Sequence, residues 1–244
     1  MILAKDSDPM GNAIADYHKN GIAGRLRVFS PDFDEDVIPV ETLFREYEEM
    51  PIVEQTALLL ASGEILDVGA GAGCHALALQ DMGKSVDAID ISSLSVDVMK
   101  DRGVLNASER DFYQMNADEQ QKRYDTILFL MNGSGIIGSI GNMGAFFKQL
   151  HSLLADGGCA YMDSSDIRYV FEDEDGSFEI NLNDKYYGEL EYQMQYKRVK
   201  GKPFAWLYID FATLQHYAQE NGFSAELVAE GDHYDYLAKL FPLH

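Results

Sequence analysis

Between Leu66 and Cys74 the chain reads LDVGAGAGC: an apolar run, three glycines spaced two apart (Gly69, Gly71 and Gly73), then a stretch of helical character. Glycine at alternate positions of a strand-to-helix turn lets backbone approach a ligand where a Cβ would block it, and permits φ > 0 at the tight positions. The chemistry such a turn serves is cofactor binding. A dinucleotide fingerprint begun at Gly69 would place its third glycine at position 74, where Cys74 stands, while the glycine falls one residue early; this spacing leans away from a nicotinamide cofactor. Asp67 precedes the glycines, and Asp90 ends the alternating segment SVDAIDI at residues 85–91. A carboxylate at the end of a second strand accepts hydrogen bonds from ribose hydroxyls. An ordinary glycine-rich turn explains the glycines alone, but not the succession of strand, glycines, helix, strand and acid.

Asp67 to Gly73, in the order D-x-G-x-G-x-G, resembles the first motif of class I S-adenosylmethionine (SAM)-dependent methyltransferases. The segments LFREYEEM, EMPIVEQTALLLASGEILDVGAGAGCHALALQDMGKSVDAIDISSLSVDVMKDRGV, FLMNGSGIIG and FAWLYIDFATLQHYAQENGF are similar to a widespread bacterial group of small-molecule-type members, so the resemblance covers roughly residues 41–240. Its motifs are specific for cofactor and fold, and not for substrate. The resemblance implies SAM as methyl donor and S-adenosylhomocysteine (SAH) as product. It implies Asp67, Gly69, Ala70, Gly71 and Gly73 around the methionyl part, Asp90 and Ile91 at the ribose, Asp111 at the adenine amine, and Asn132 near the methionine and the methyl acceptor. Tyr17 and Arg45, from the amino-terminal segment, join this set, Arg45 as partner of the SAM carboxylate because the group carries an aromatic residue followed by Arg at the place of Phe44 and Arg45. Local alternatives remain open: a solvated loop acid for Asp111, a glycine turn started by Asn132, and an ion pair of Arg45 with Glu41, Glu48 or Glu49 at helical spacing. His75 lies one residue past the loop, where the following helix's dipole disfavours imidazolium, and reads as structural or pocket-lining.

The acceptor side is read from the same end of the sheet. Ligands of open α/β sheets bind beyond the carboxyl ends of the strands. DSSD at 163–166 and EGDHYD at 230–235 fall there, making Asp163, Asp166, His233 and Tyr234 the candidate catalytic groups; surface acids and a stray loop histidine are the bland reading. No metal is required for transfer of a sulfonium methyl group. The segment 166–209 carries Phe178, Tyr186, Tyr187, Tyr192, Tyr196, Phe204 and Trp206 and is expected to cover the acceptor pocket, with packing on the sheet or a dimer contact as alternatives.

The elements that must position these residues follow from periodicity. Strands are expected at 64–68, 85–91, 106–111, 125–131 and 159–163, alternating with helices at 74–82, 94–102 and 144–154. Helices at 12–20 and within 40–62, broken at Pro51, precede them. After residue 163 the pattern turns β-rich at 178–182, 189–199 and 204–209, with KGKP as a hairpin turn. A helix at 210–221 and strands at 225–230 and 236–241 close the chain. The fold class is therefore α/β: a Rossmann-like, doubly wound, mostly parallel seven-stranded sheet with amino-terminal helices (1–62) and an antiparallel β insertion after the fifth strand (166–209), in one domain of residues 1–244.

Composition bounds the partners. Of 244 residues, 19 are Lys or Arg and 41 Asp or Glu, a net charge of −22 that repels nucleic acid and anionic membranes. The one basic run, KRVKGK at 197–202, suits the cap of a hairpin. Two cysteines, Cys74 and Cys159, are too few for a disulfide framework and read as small core residues. The start of the chain lacks a signal-peptide pattern and no run reaches about 18 apolar residues, so a cytoplasmic protein is expected. The expected function is methyl transfer from SAM to an O, N or C nucleophile of a small molecule, with a homodimer left open. A non-catalytic SAM-binding protein and an NAD(P)-dependent oxidoreductase are the competing readings.

Overall fold

The computed structural model describes residues 2–117, 122–171 and 185–243. Its main sheet has seven strands: β3 (Ile65–Val68), β4 (Val86–Asp90), β5 (Ala107–Glu109), β6 (Tyr124–Phe129), β7 (Leu154–Ser165), β11 (Phe223–Glu230) and β12 (Asp235–Pro242). They lie in the order β11-β12-β7-β6-β3-β4-β5; β3 to β7 are parallel, and β12 runs antiparallel to both β7 and β11. The order reverses between β3 and β6, which sets the ligand crevice beyond their carboxyl ends.

The helices cover both faces. On one, α2 (Ile52–Leu60), α3 (Cys74–Asp81) and α4 (Ser93–Arg102) pack with β3 and β4 around Leu58, Leu79, Ile65 and Met99. On the other, α5 (Met143–Leu153) and α6 (Phe211–Glu220) enclose a core of Phe112, Phe129, Phe146, Phe147 and Phe223. All four residues of β3 are buried, as expected for a central parallel strand covered on both faces. Local chemistry fixes the helix starts: Ser92 and Asp210 accept hydrogen bonds from the amides of Ser95 and Thr213.

A second sheet departs from the sequence reading. After α1 (Pro9–Asn20), the segment expected to be helical to residue 62 contains β1 (Leu26–Phe29) and β2 (Asp36–Ile38), then 3₁₀ turns at Val40–Phe44 and Tyr47–Glu49 before α2. The strands β8 (Glu189–Tyr196), β9 (Val199–Lys200) and β10 (Phe204–Leu207) join them in the order β10-β8-β1-β2, with β9 on β8. The insertion is thus antiparallel as expected, but the amino-terminal segment completes its sheet. The reason is long-range: LRVF is too short to read as a strand alone, and Leu26 finds its partner at Tyr196. The hairpin turns at Lys197 and Arg198, with Lys197 at φ 51°, rather than at KGKP, which interrupts the returning strand between β9 and β10. The expected strand at 178–182, and Phe178 with it, lies outside the described residues.

Candidate active site

The loop leaving β3 turns through three left-handed glycines: Gly69 at φ 74°, Gly71 at 56° and Gly73 at 85°. They divide by surroundings. A Cβ built on Gly69 or Gly71 meets no atom within 4 Å, whereas one on Gly73 would lie 2.9 Å from the side chains of Met99 and Val104. The first two glycines therefore face open space, and the third lets the loop pack on α4. The amides of Gly69 and Ala70 donate to the Ile89 carbonyl (2.9 and 3.0 Å), joining the loop to the end of β4.

Asp90 continues that link. Its Oδ2 accepts from the Gly71 amide at 2.9 Å and its Oδ1 from the Ser92 amide at 2.8 Å, leaving each oxygen a further lone pair. Burial pushes its carboxyl up to about 6 against those two amides. The amino terminus crosses beside it: the Leu3 amide donates to the Ile91 carbonyl, and the Ser92 hydroxyl donates to buried Asp8 at 2.5 Å. Ile91 is exposed. Asp111, just beyond β5, caps the turn Phe112–Gln114 by accepting from the Tyr113 amide. Tyr17 packs on Phe44, whose ring also carries the Arg102 guanidinium; Arg102 in turn donates to the Ala72 carbonyl at 2.6 Å. Tyr17 thus supports the glycine loop through two intermediaries.

A buried charged group stands where the loop enters α3. Arg45 Nη2 pairs with Glu54 of α2, and His75 Nε2 lies 2.7 Å from the same carboxylate oxygen, Oε2. Arg45 does not pair with Glu41, Glu48 or Glu49 at helical spacing, because the residues around it form 3₁₀ turns and Glu49 is spent on a capping box with Glu46. The expectation that the helix dipole disfavours a charged His75 is also corrected: burial is the largest influence and works against the imidazolium, but the hydrogen bond to Glu54 and the charges of Asp67 and Glu54 together outweigh it and raise His75 above the usual histidine range. Asp67, 1 % exposed, is raised by burial, and its Oδ2 and the Nε of Arg45 have no hydrogen-bond partner. Cys74, pushed up to about 12 by burial, is a neutral core thiol.

On the acceptor side, Asp163 is turned inward. Its two oxygens accept from the amides of Met131 (3.0 Å) and Gly133 (2.8 Å), clamping a turn in which Met131 and Asn132 adopt φ of 66° and 58°. Burial raises its carboxyl to about 6. Asn132 Oδ1 accepts from the Ser165 hydroxyl. Asp166 accepts from the Tyr187 hydroxyl at 2.7 Å and from Arg168, and its amide donates to the Tyr234 carbonyl. Tyr234 itself is 65 % exposed at φ 60° and stacks on Tyr169, while His233 occupies the same exposed turn. The structure therefore brings Asn132, Asp163 and Asp166 together and leaves the side chains of His233 and Tyr234 at the surface.

Two contacts that sequence reasoning passed over tie the second sheet to this face. Ser134, which is 0 % exposed, lies 2.7 Å from Ser164 Oγ and 2.8 Å from the Leu207 carbonyl. A Cβ on Gly135 would fall 1.9 Å from the Trp206 indole, so that ring lies flush on the loop after β6. The small residues of NGSG were the available signal. Beside them, Tyr186 donates to Asp210 Oδ2 and accepts from the Asp210 amide.

Comparison with known proteins shows the family. A family model described as a methyltransferase domain matches residues 41–228. The chain belongs to that family. It is similar to a SAM-dependent methyltransferase from Bacteroides fragilis solved in complex with SAH, at 56 % identity and a TM-score of 0.93, covering 100 % of this chain and 98 % of that one. The fold is shared with the CcbJ methyltransferase of Streptomyces caelestis (16 % identity, TM-score 0.62, 99 % and 100 % covered). It is shared too with the sugar N-methyltransferase KedS8 of Streptoalloteichus (12 %, 0.55, 83 % and 88 %). No functionally curated protein matches.

The protein is a class I SAM-dependent methyltransferase, and the site fits its cofactor. The methyltransferase presents the open cradle at Gly69 and Gly71, where a side chain would fill the space, and unpartnered buried atoms on Asp67 and Arg45. When bound, SAM supplies an electrophilic methyl group on a sulfonium. Among the described residues, no helix is long and apolar enough to cross a membrane.

Proposed function

We propose that this methyltransferase acts on an O, N or C nucleophile of a small molecule, held between the loop after β6 and the second sheet. The observation that carries the reading is the seating of Trp206 on Gly135, with Ser134 anchored to the Leu207 carbonyl: the second sheet is bolted to the loop at the carboxyl end of β6. Aromatic rings there exclude water and offer faces for an acceptor, which methyl transfer needs, since alignment of donor and acceptor in a dry pocket supplies most of the catalysis. In this reading Gly69, Ala70, Gly71 and Gly73 form the cofactor loop, Asp90 and Ile91 border the ribose, Asp111 borders the adenine, and Asn132 borders the reacting end. Attack on the methyl carbon breaks its bond to sulfur, leaves SAH, and releases a proton from an O–H or N–H acceptor. Asp166, the acid at this end whose side chain is not buried under the β6 loop, is the candidate to receive it. The same fold carries a sugar N-methyltransferase and an amino pentose methyltransferase, so it accommodates acceptors of this size.

The test is incubation with methyl-labelled SAM and fractionated cell extract. Label should enter the small-molecule fraction; label confined to protein or nucleic acid would overturn the reading. In a folded Trp206→Ala variant, methyl transfer to the acceptor so found should fall about tenfold or more, roughly the loss of 1.4 kcal/mol of transition-state alignment. Unchanged turnover with lost self-association would make the second sheet a dimer element instead.

A further inference from the structure

Glu54 and His75 are buried titratable groups that methyl transfer does not use. Each is 4 % exposed, and they share one short contact on α2 and α3, where the glycine loop enters α3. The third member, Arg45, is half engaged. A guanidinium takes a carboxylate bidentately along its Nε–Nη2 edge, as Arg27 does here with Glu35 at 2.6 and 2.5 Å. At Arg45 the corresponding edge gives only Nη2 to Glu54, and Nε is buried without a partner. The charged groups facing His75 are Glu54 from α2, Asp67 from β3, Arg45 from the turn before α2, and Asp163 from β7. With His75 protonated, two cations, Arg45 and His75, face the three carboxyls of Glu54, Asp67 and Asp163.

We propose that Glu54 and His75 are positioning residues for the amino-acid end of the cofactor: Glu54 holds Arg45 by one nitrogen so that Nε meets the cofactor carboxylate, and the charge on His75 cancels that on Glu54, which would otherwise repel it. The inference rests on the placement of SAM in the Gly69–Asp90 cradle. It makes affinity for the amino-acid end depend on the proton of His75. Deprotonation leaves the cluster with an excess negative charge beside an anionic group in a poorly solvated site, so binding weakens as pH rises through the raised titration of His75.

Titration calorimetry from about pH 6 to about pH 8.5 spans that titration. Two probes separate the ends of the cofactor: SAH, and 5′-methylthioadenosine, which has the adenosine and the sulfur but no amino acid. SAH affinity should fall about tenfold across the range, equivalent to His75 titrating about one unit higher in the complex, while methylthioadenosine affinity shows no such fall. His75→Gln should flatten the SAH profile; the ligand's own amino group titrates identically in both proteins. Glu54→Gln should lower the His75 midpoint read from its imidazole proton resonance in ligand-free protein, a readout independent of activity. A parallel fall for both probes, an equally steep SAH profile in folded His75→Gln, or an unmoved His75 midpoint in Glu54→Gln would overturn the proposal. The parent's two profiles suffice if a variant fails to fold. Failure of both probes to bind at any pH would instead remove the cofactor placement on which the proposal rests.

Discussion

At the residue scale, the glycines of the GAGAG loop separate by what stands opposite each hydrogen. Gly71→Ala places a methyl group in open space at φ 56° and should cost about 1–2 kcal/mol of stability while obstructing the cofactor. Gly73→Ala adds a clash with Met99 and Val104 to a similar backbone cost, so about 1–3 kcal/mol more should be lost from folding. Paired urea melts and SAH titrations check this: Gly71→Ala should lose proportionately more binding and Gly73→Ala more stability. Spacing named all three glycines but could not sort them, because the sorting depends on α4, which packs beneath only the last. Asp163 shows the same limit. Its position at the end of β7 was legible, whereas its inward turn onto the amides of Met131 and Gly133 follows from a left-handed bend that the sequence announces only as Asn-Gly.

At the scale of elements, the parallel sheet was readable because the strands at 64–68, 85–91 and 125–131 are each followed by a helix signal, and their apolar runs need no distant partner to be recognised. The second sheet was not, since β1 owes its existence to β8, with Arg27 opposite Gln195. On the proposed cofactor placement, the amino-terminal element nonetheless bears on that site. Asp8 caps α1 through the Gly11 amide and accepts from Ser92, which lies two residues beyond Asp90. Asp8→Ala should therefore destabilise the fold by about 1–2 kcal/mol, the usual cost of a lost cap. It should also weaken SAH binding several-fold by releasing the turn that carries the Ser92 amide. Thermal unfolding together with calorimetry tests both; a destabilised protein that binds SAH like the parent would confine α1 to a structural role.

At the scale of the whole molecule, a net charge of −22 and four buried groups with raised titrations, Asp67, Asp90, Asp163 and His75, bias stability toward acid. Asp90 and Asp163, raised from about 3.8 to about 6 by burial, bind more protons folded than unfolded, so the stability they favour is lost as pH climbs from about 4 through 6. For Asp163 the cost at neutral pH is on the order of 2–3 kcal/mol. His75, raised above 6.5, contributes stability present below that value and lost as pH rises through its folded titration. Glu54, held low because His75 and Arg45 outweigh its burial, loses its contribution only as pH falls below about 4.5. The melting temperature should therefore rise as pH is lowered from 8 toward about 5.5, and Asp163→Asn should reduce that slope.

The division of labour between the two sheets is tested most directly by titrating SAH into the parent, Asp90→Ala and Trp206→Ala under one set of conditions. The cradle at the ends of β3 and β4 predicts one site per chain. Affinity should fall about tenfold or more in Asp90→Ala, as loss of charge-assisted hydrogen bonds to the ribose requires, and stay within about threefold of the parent in Trp206→Ala. Parent-like affinity in folded Asp90→Ala, or loss of SAH binding in folded Trp206→Ala, would contradict it.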